Sequence, residues 1–332
     1  NVIIIDICRI KSRIPPTSLT NYKIKVFYAV VFGCFFDKNL FFFLLFLAMV
    51  AWGGSWVNVK VLGHYVSAFE MIFLRFGITA ITMVPIIIWL KHSFKIDLKS
   101  FGLVILVALA LIFYNKYYYL GTKFGTASLG GAMVTTMIPI LTFILLALMG
   151  VKKVSSKDLF ALGLGAIGVL TMLHIWTFDL AHILVIQNLY FFLAAILWAI
   201  LTIISSKSTK ISPIVFTFYM YIVTVVLDWA LFVDVSAIPF ASFDSIFWIN
   251  TILISLAAST FSNTIYFLGI EKLGAAEVSS FVFLVPFSAI GLSAIFLNEK
   301  VDFFIIIGTV LTLYAVKLLN NITILKRRQK SV

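Results

Sequence analysis

Charged residues are scarce in this chain: only 11% of its 332 residues are Asp, Glu, Lys or Arg, whereas 62% are hydrophobic and the mean hydropathy is +1.13. A soluble domain has roughly 25% charged residues, which it needs to cover its surface. The shortage excludes a soluble enzyme, a nucleic-acid-binding domain and a disordered protein. The sequence therefore predicts an integral membrane protein with the lipid bilayer as its surroundings and no nucleic-acid partner.

Cysteine and histidine are also rare, with two and four copies. Cys8 and Cys34 both lie near the N-terminus, so they indicate neither a disulfide framework nor a thiolate metal site in the apolar body. The histidines lack the spacing of three or four residues that a helical metal site needs. The glycine-rich phosphate loop and the nucleophile elbow are absent too, so we expect no metal, no cofactor and no enzymatic activity.

The two ends of the chain differ from the apolar body. Residues 1–39 are basic and contain the Pro15-Pro16 break, and their one apolar run, 24–36, is shorter than the roughly 20 residues of a membrane span. We expect an interfacial or poorly ordered extension there, and a span series that begins at residue 40. Residues 321–332 are expected to form a basic cytoplasmic tail.

Ten apolar runs separated by short polar breaks fill the chain from residue 40 onward. In lipid only a helix satisfies all its own backbone groups, and the short alternating segments of a β-barrel are absent, so an all-α fold is predicted. The predicted spans are 40–61, 67–90, 101–121, 126–149, 159–177, 183–205, 212–233, 246–269, 276–297 and 303–320.

The basic residues predict the orientation of these spans. If the N-terminus lies inside, the inner segments hold 19 Lys and Arg residues, whereas the outer breaks hold only Lys123 and Lys300. Lys and Arg accumulate in cytoplasmic loops. The asymmetry predicts a multi-pass protein of the cell membrane with both termini in the cytoplasm.

An internal repeat relates the two halves of the chain. Its landmarks recur in the same order at offsets of 146 to 149 residues: Trp52 and Trp198, Tyr119 and Phe267, Gly125 and Gly274, and Pro139 and Pro286. The repeats cover residues 40–177 and 183–320, and because five spans is an odd number, the second repeat must be inverted in the membrane. Inverted repeats of this kind are typical of transporters, although any two apolar helices share some features.

An ordered set of short motifs supports a family resemblance. The motifs are Ala51-Trp52-Gly53-Gly54-Ser55, Arg75-Phe76, Pro139, the glycines 163, 165 and 168, Gly274-Ala275-Ala276, Pro286, Asn298-Glu299-Lys300 and Gly308. With ten spans, this set resembles the EamA family of the drug/metabolite transporter superfamily over about residues 40–320. The resemblance implies two inverted five-helix repeats that move small metabolites, often outward. The chain departs from the family pattern at Lys152, where an acidic residue usually follows the fourth span, but it retains Glu299.

We therefore predict a secondary transporter, or permease, that moves a small metabolite across the inner or plasma membrane by alternating access, with export favoured. An amino acid or related carboxylate is the expected solute, and a proton is the coupling ion considered. A membrane channel, or an integral-membrane enzyme without a recognisable catalytic motif, is the alternative. The oligomeric state is left open.

Four ionisable residues within the spans are candidate solute contacts: Glu70, Arg75, Lys116 and Asp228. Placing a charged side chain inside a membrane span costs at least about 2.5–3.5 kcal/mol on insertion scales. The presence of each of these residues therefore calls for a structural or functional explanation. The first hypothesis is that they line a polar cavity between the repeats, where Arg75 binds a carboxylate. The alternatives are a structural ion pair, such as Arg75 with Asp228, and snorkelling to the interface. Asp228 or Glu70 is also a candidate proton carrier, because burial favours the neutral form of a carboxyl group.

Polar and aromatic residues complete the candidate site. Trp52 lies several residues inside its span, where a substrate pocket and ordinary helix packing are equally good explanations. Asn263 belongs to an unusually polar span and faces the transport path or bonds to a neighbouring helix. The run 117–119, three tyrosines, is interpreted as an interfacial aromatic belt. Pro139 and Pro286 are predicted to kink their helices and serve as gating hinges.

Overall fold

The structure, a computed structural model, describes residues 38–151, 153–174, 176, 185–208, 210–273, 278 and 280–320. Within these residues the regular structure is entirely helical. The α-helices are α1 (Lys38–Leu62), α2 (Ala68–Trp89), α3 (Leu98–Phe124), α4 (Ala127–Leu148), α5 (Ser156–Met172), α6 (Ile186–Ser205), α7 (Pro213–Leu231), α8 (Ser245–Ile252), α9 (Ser262–Leu273), α10 (Leu284–Phe296) and α11 (Phe303–Asn320). A π-helical stretch, Leu253–Phe261, joins α8 to α9, and short 3₁₀ turns cover Val235–Ala237, Phe240–Ser242 and Ser280–Phe283.

Seven of these helical segments are long and apolar enough to cross a membrane. They are α1 to α4, α6, α7 and the continuous segment Ser245–Gly269. The helices Leu284–Phe296 and Phe303–Leu319 are apolar but shorter. The prediction of an all-α membrane protein is confirmed, whereas ten spans in two inverted repeats stays a prediction.

Parts of the chain with their own predictions lie outside this description. Contacts divide the chain into residues 1–44 and 45–332, and the described part of the first unit is the start of α1, residues 38–44. The basic extension falls outside the described residues apart from 38 and 39. The predicted tail, residues 321–332, falls outside them completely.

Side-chain caps explain where several helices begin. The first backbone N–H groups of a helix lack partners within the helix, and a nearby side-chain oxygen can accept from them. Ser67 and Glu70 form a reciprocal capping box at the start of α2. Asp97 caps α3 and also accepts from the Ser100 hydroxyl, and this hydrogen bond lowers the pKa of the Asp97 carboxyl. These caps fix the helix starts close to the predicted span boundaries.

Contacts between loops define two opposite ends of the helical unit 45–332. At one end, which we call the Glu299 end, the Glu299 carboxylate accepts hydrogen bonds from the backbone N–H groups of Ala127 and Ser128, at 2.8 and 2.9 Å. At the other end, which we call the Ser100 end, the Tyr219 hydroxyl donates to the carbonyl oxygen of Phe94 at 2.6 Å. Helices therefore run alternately from one end to the other.

Further contacts belong to the Glu299 end. The Lys60 ammonium donates to the carbonyl oxygens of Lys123 and Gly125. The Tyr65 hydroxyl donates to Asp244 at 3.0 Å, which raises the pKa of Tyr65. His174 and Asp302 lie 2.6 Å apart. The first of these contacts joins α1 to the α3–α4 turn. The second joins the α1–α2 turn to the start of α8, and the third joins the end of α5 to the start of α11.

Small residues allow the helices to pack closely. A Cβ added at Gly168 of α5 would lie 2.8 Å from the carbonyl oxygen of Gly308 in α11 and 2.6 Å from Thr312 Cγ2. The fully buried Phe191 ring of α6 similarly occupies the space beside Gly121 and Gly130. Close backbone approach replaces the hydrophobic driving force that is missing between helices in lipid.

Candidate functional site

Arg75 lies at the centre of a polar network in the interior of the helical bundle. It is half-buried on α2, and its Nε donates to the Ser259 hydroxyl in the π stretch at 2.9 Å. Its Nη1 donates to the Tyr119 hydroxyl at 3.1 Å and to Asn115 Oδ1 at 3.4 Å. Asn115 is itself oriented by a hydrogen bond from its Nδ2 to the carbonyl oxygen of Leu111. We call Arg75, Asn115, Tyr119 and Ser259 the arginine network.

All the partners of Arg75 in this network are neutral. Among the described residues, no carboxylate lies within ion-pair distance of its guanidinium and no hydrogen bond engages its Nη2 group. The structural ion pair between Arg75 and Asp228, one of the alternatives from the sequence, does not form. Since a guanidinium presents five N–H donors in a fixed fork, the network holds a cation with donors left for a planar anion.

A narrow crevice lies between α1, α2, α8 and the π stretch, and its lining includes Val66 of the α1–α2 turn and Arg75. Its walls are apolar except for Arg75 and Thr251. The Thr251 hydroxyl is buried and makes no hydrogen bond with the described residues. The crevice thus carries a cation and an unpaired hydroxyl on otherwise apolar walls.

Two pairs of aromatic side chains lie on four helices of the bundle. Trp52 of α1 contacts Tyr266 of α9, with 5.2 Å between ring centroids. Tyr114 of α3 contacts Trp198 of α6 at 4.6 Å. We call the half-buried rings of Trp52, Tyr114, Trp198 and Tyr266 the aromatic wall. Half-buried indoles and phenols offer flat apolar faces together with a polar tip.

Buried rings connect the aromatic wall to Arg75. Tyr118 packs against Tyr114 at 5.8 Å and against Tyr119 at 5.0 Å. Its hydroxyl also shares a 3.1 Å hydrogen bond with Ser55, one turn after Trp52. Tyr118 and Tyr119 are each only 2% exposed, so the interpretation of this run as an interfacial belt does not fit them.

Asn263 lies near the network without contacting Arg75. Its Nδ2 donates to the Tyr221 hydroxyl on α7. The Tyr221 ring stacks on Phe76, the neighbour of Arg75, with centroids 4.7 Å apart. Asn263 therefore connects α9 to α7.

Asp228 is fully buried on α7, and neither carboxylate oxygen has a hydrogen-bond partner among the described residues. The structure thus places it on a helix packed against α2, but not in the arginine network.

Two other candidates lie apart from the network. Glu70 closes the capping box at the start of α2, where its carboxylate accepts from the backbone N–H of Ser67 at 2.7 Å. The Lys116 ammonium lies over the Phe69 ring, 5.3 Å from its centroid, and 5.9 Å from that of Tyr117. A cation–π contact of this kind stabilises an ammonium without a carboxylate.

The two prolines occupy different positions. Pro139 lies inside the continuous helix α4. Pro286 lies in the first turn of α10, directly after a 3₁₀ turn, where the missing N–H costs little. Their gating role stays a prediction.

Sequence reasoning missed several contacts of the site. Tyr221 and Tyr266 gave no signal, because aromatic residues are common throughout the chain. The spacing of Asn115 and Tyr119, four residues apart on α3, was the available signal for the network, since it places both on one helix face.

The fold and the site together define a helical membrane protein with a cationic, aromatic-lined interior. The model of the EamA-like transporter family matches residues 39–174 and again 185–321. The chain thus belongs to the EamA-like transporter family, as the resemblance implied, and it is a membrane transporter.

Curated relatives and a solved structure agree with this assignment. An uncharacterized transporter of Archaeoglobus fulgidus is 22% identical over 289 residues, which cover 83% of this chain and 95% of the relative. The uncharacterized transporter YyaM of Bacillus subtilis is 24% identical over 291 residues, covering 84% and 93%. A solved crystal structure with 16% identity superposes with a TM-score of 0.58 over 89% of this chain and 100% of the other, which shows the fold alone.

Proposed function

We propose that this transporter carries a small metabolite with a carboxylate group and a planar or apolar body, such as an amino acid or a related compound. The carboxylate binds the free donors of Arg75, and the body of the solute packs on the aromatic wall. Arg75 with neutral partners is the observation that carries this proposal, because an unpaired guanidinium in a membrane interior favours an anionic ligand.

The neutral partners are suited to positioning the guanidinium without cancelling its charge. Ser259, Asn115 and Tyr119 come from two different segments, so the network also couples α2 to α3 and to the π stretch. A movement that separates these segments would change the donors available to the solute. The arginine network would therefore couple the binding of the solute to the change between inward-open and outward-open forms.

The proposed architecture is ten spans in two inverted five-helix repeats, residues 40–177 and 183–320. The family match to two successive segments supports this division, since the segments are of similar length. Two inverted repeats can exchange inward-open and outward-open forms by alternating access. We assign the protein to the cell membrane with both termini cytoplasmic, and we favour export as its direction.

Comparing solutes inside and outside cells tests the proposed function. Cells would express the wild type, Arg75→Gln or Lys207→Gln, the last being a matched loss of a cation on an exposed loop. We expect external carboxylates to accumulate with the wild type and Lys207→Gln, and to fall about tenfold or more with Arg75→Gln, since a hydrogen-bonded charge contributes about 1.5–3 kcal/mol. Folded yield is measured in parallel. Unchanged carboxylate export by a folded Arg75→Gln protein would refute the proposal.

Purified protein gives a second test that needs no knowledge of the natural solute. Phenylacetate and phenylacetamide have the same ring but differ in charge. We expect phenylacetate, and not the amide, to raise the melting temperature of the wild type and of Lys207→Gln. Equal effects of the two compounds would argue against a carboxylate site.

A further inference from the structure

Four polar side chains line one face of α7. They follow the helical spacing of four, three and four residues, and each is at most 5% exposed: Thr217, Tyr221, Thr224 and Asp228. Residues with this spacing lie on one helix face. A polar stripe turned away from lipid indicates a functional surface within the bundle.

Two aromatic contacts locate Asp228 along this stripe. Phe232 stacks on Phe69 with ring centroids 4.4 Å apart, and Tyr221 stacks on Phe76 at 4.7 Å. Asp228 falls between Tyr221 and Phe232 in the sequence. Along the helix axis it therefore lies opposite the part of α2 between Phe69 and Phe76. Arg75 lies within the same interval of α2.

Among the residues that the structure describes, no counter-charge contacts Asp228. Both its oxygens are buried without a donor, and the Thr224 hydroxyl one turn earlier is also buried without a partner among the described residues. The α7 helix packs against α2, α3 and α9. The titratable side chains described on these three helices and on α7 itself are Glu70, Arg75, Lys99, Tyr114, Lys116, Tyr117, Tyr118, Tyr119, Lys123, Tyr219, Tyr221 and Tyr266.

Two of the cations on these helices, Arg75 and Lys116, have other contacts. Arg75 bonds to Asn115, Tyr119 and Ser259, and the Lys116 ammonium lies over Phe69. An ionised carboxylate with no donor and no cation in an apolar interior is strongly unfavourable, whereas a proton on one oxygen removes the charge at once. The contacts among the described residues thus favour a proton, or another small cation, on Asp228.

We propose that Asp228 is a proton-binding site that couples proton movement to solute binding at Arg75. In the closed arrangement the Asp228 carboxyl is protonated, and when the site opens its O–H bond breaks and the proton passes to water. This coupling rests on the proposed function, but the binding of the proton does not.

The coupling follows from charge. With Asp228 neutral, Arg75 offers its full positive charge to the carboxylate of the solute. Once Asp228 is ionised, its negative charge lowers the positive potential at Arg75 through a medium of low dielectric constant, without contact between the two side chains. Solute and proton therefore bind together and leave together, and export proceeds down the concentration gradient of the solute.

Infrared spectroscopy of the purified full chain in lipid tests the proton site directly. At neutral pH we expect the carbonyl stretch of a protonated carboxyl group in the wild type, and its loss in Asp228→Asn, which is nearly the same shape. Asp234→Asn is the matched control: Asp234 lies in a loop, where hydrogen bonds from Ser236 lower the pKa of its carboxyl and keep it ionised. This control should retain the band. A spectrum unchanged by Asp228→Asn would overturn the proposal.

Phenylacetate binding tests the coupling. We expect the wild-type affinity to fall by about tenfold or more from mildly acidic to mildly alkaline pH. In Asp228→Asn the affinity should be high and independent of pH. Wild-type affinity that is constant with pH would refute the coupling, and an absence of any phenylacetate binding would count against the proposed function while the infrared result still decides the proton site. A melting temperature that rises with sodium only when Asp228 is present would overturn the proton assignment in favour of a metal ion.

Discussion

At the scale of single residues, Glu299 joins distant parts of the sequence at one helix terminus. Its two carboxylate oxygens accept from Ala127 and Ser128, which begin α4, although Glu299 lies more than 170 residues later in the chain. A carboxylate at a helix N-terminus satisfies unpaired N–H groups and interacts favourably with the helix dipole. This one side chain therefore fastens the α10–α11 loop to α4.

Removing this carboxylate should destabilise the protein. We expect Glu299→Ala to lower stability by about 1–3 kcal/mol, because two hydrogen bonds to a charged group are lost. Glu299→Gln, which keeps one acceptor oxygen, should lie between Ala and the wild type. Melting temperature in a fixed detergent measures the effect, with the exposed neighbour Lys300→Ala as the control. Equal melting temperatures for Glu299→Ala and Lys300→Ala would contradict this role.

The sequence predicts which residues of the site are unusual, but not their partners. Arg75 and Asp228 stand out because a charge within a span is costly. Ser259 is 184 positions after Arg75, so only the packing of α2 against the π stretch makes it a partner. The burial of Tyr119 also depends on neighbouring helices rather than on its own segment. The sequence alone therefore places Tyr119 in an interfacial belt.

At the scale of helices, the contact between α5 and α11 depends on the absence of side chains. Gly168 and Gly308 face each other so closely that a Cβ on either would meet backbone atoms of the other helix. By contrast, a Cβ at Gly163, five residues earlier on α5, would meet nothing within 4 Å. The two glycines of one helix thus have different roles.

Alanine at these two positions should have opposite effects. We expect Gly168→Ala to destabilise the protein by about 1–3 kcal/mol through overpacking. Gly163→Ala should be neutral or stabilising by up to about 1 kcal/mol, because alanine favours the helix. Melting temperature and folded yield in lipid measure both, and a Gly168→Ala protein as stable as Gly163→Ala would disprove the close contact.

Helix positions follow from the sequence more closely than helix contacts do. The second predicted span, 67–90, agrees with α2 (Ala68–Trp89), because Ser67 and Glu70 form a local capping signal. The π stretch could not be predicted, because α- and π-helices draw on the same apolar and small polar residues. The side-chain hydroxyls of Ser259 and Thr260 donate to carbonyl oxygens five residues earlier, and these contacts depend on the three-dimensional winding of the stretch.

At the scale of the whole molecule, alternating helix directions imply that loops fall on two sides of the membrane. The Glu299 end includes the α7–α8 connection through the Tyr65–Asp244 contact. The Ser100 end includes the α6–α7 connection, where Ser208 lies 3.4 Å from Ser100. The basic residues of the sequence favour the Ser100 end as the cytoplasmic side.

Cysteine labelling in whole cells should distinguish the two sides. In a chain with Cys8 and Cys34 replaced by serine, we expect Ala237→Cys and Lys300→Cys to react with an impermeant thiol reagent in intact cells. Lys95→Cys and Lys207→Cys should react only after permeabilisation. All four positions are exposed. Labelling of Lys95→Cys in intact cells would contradict the assigned orientation.

The π stretch before α9 has a consequence for insertions and deletions. Because its hydrogen bonds skip one residue more than those of an α-helix, it accommodates surplus chain length within a continuous rod. Changing this stretch to ordinary α winding without deleting a residue would rotate everything that follows by about 100°. Asn263 and Tyr266 would then turn away from Tyr221 and Trp52, so the π winding sets the angular phase of one wall of the site.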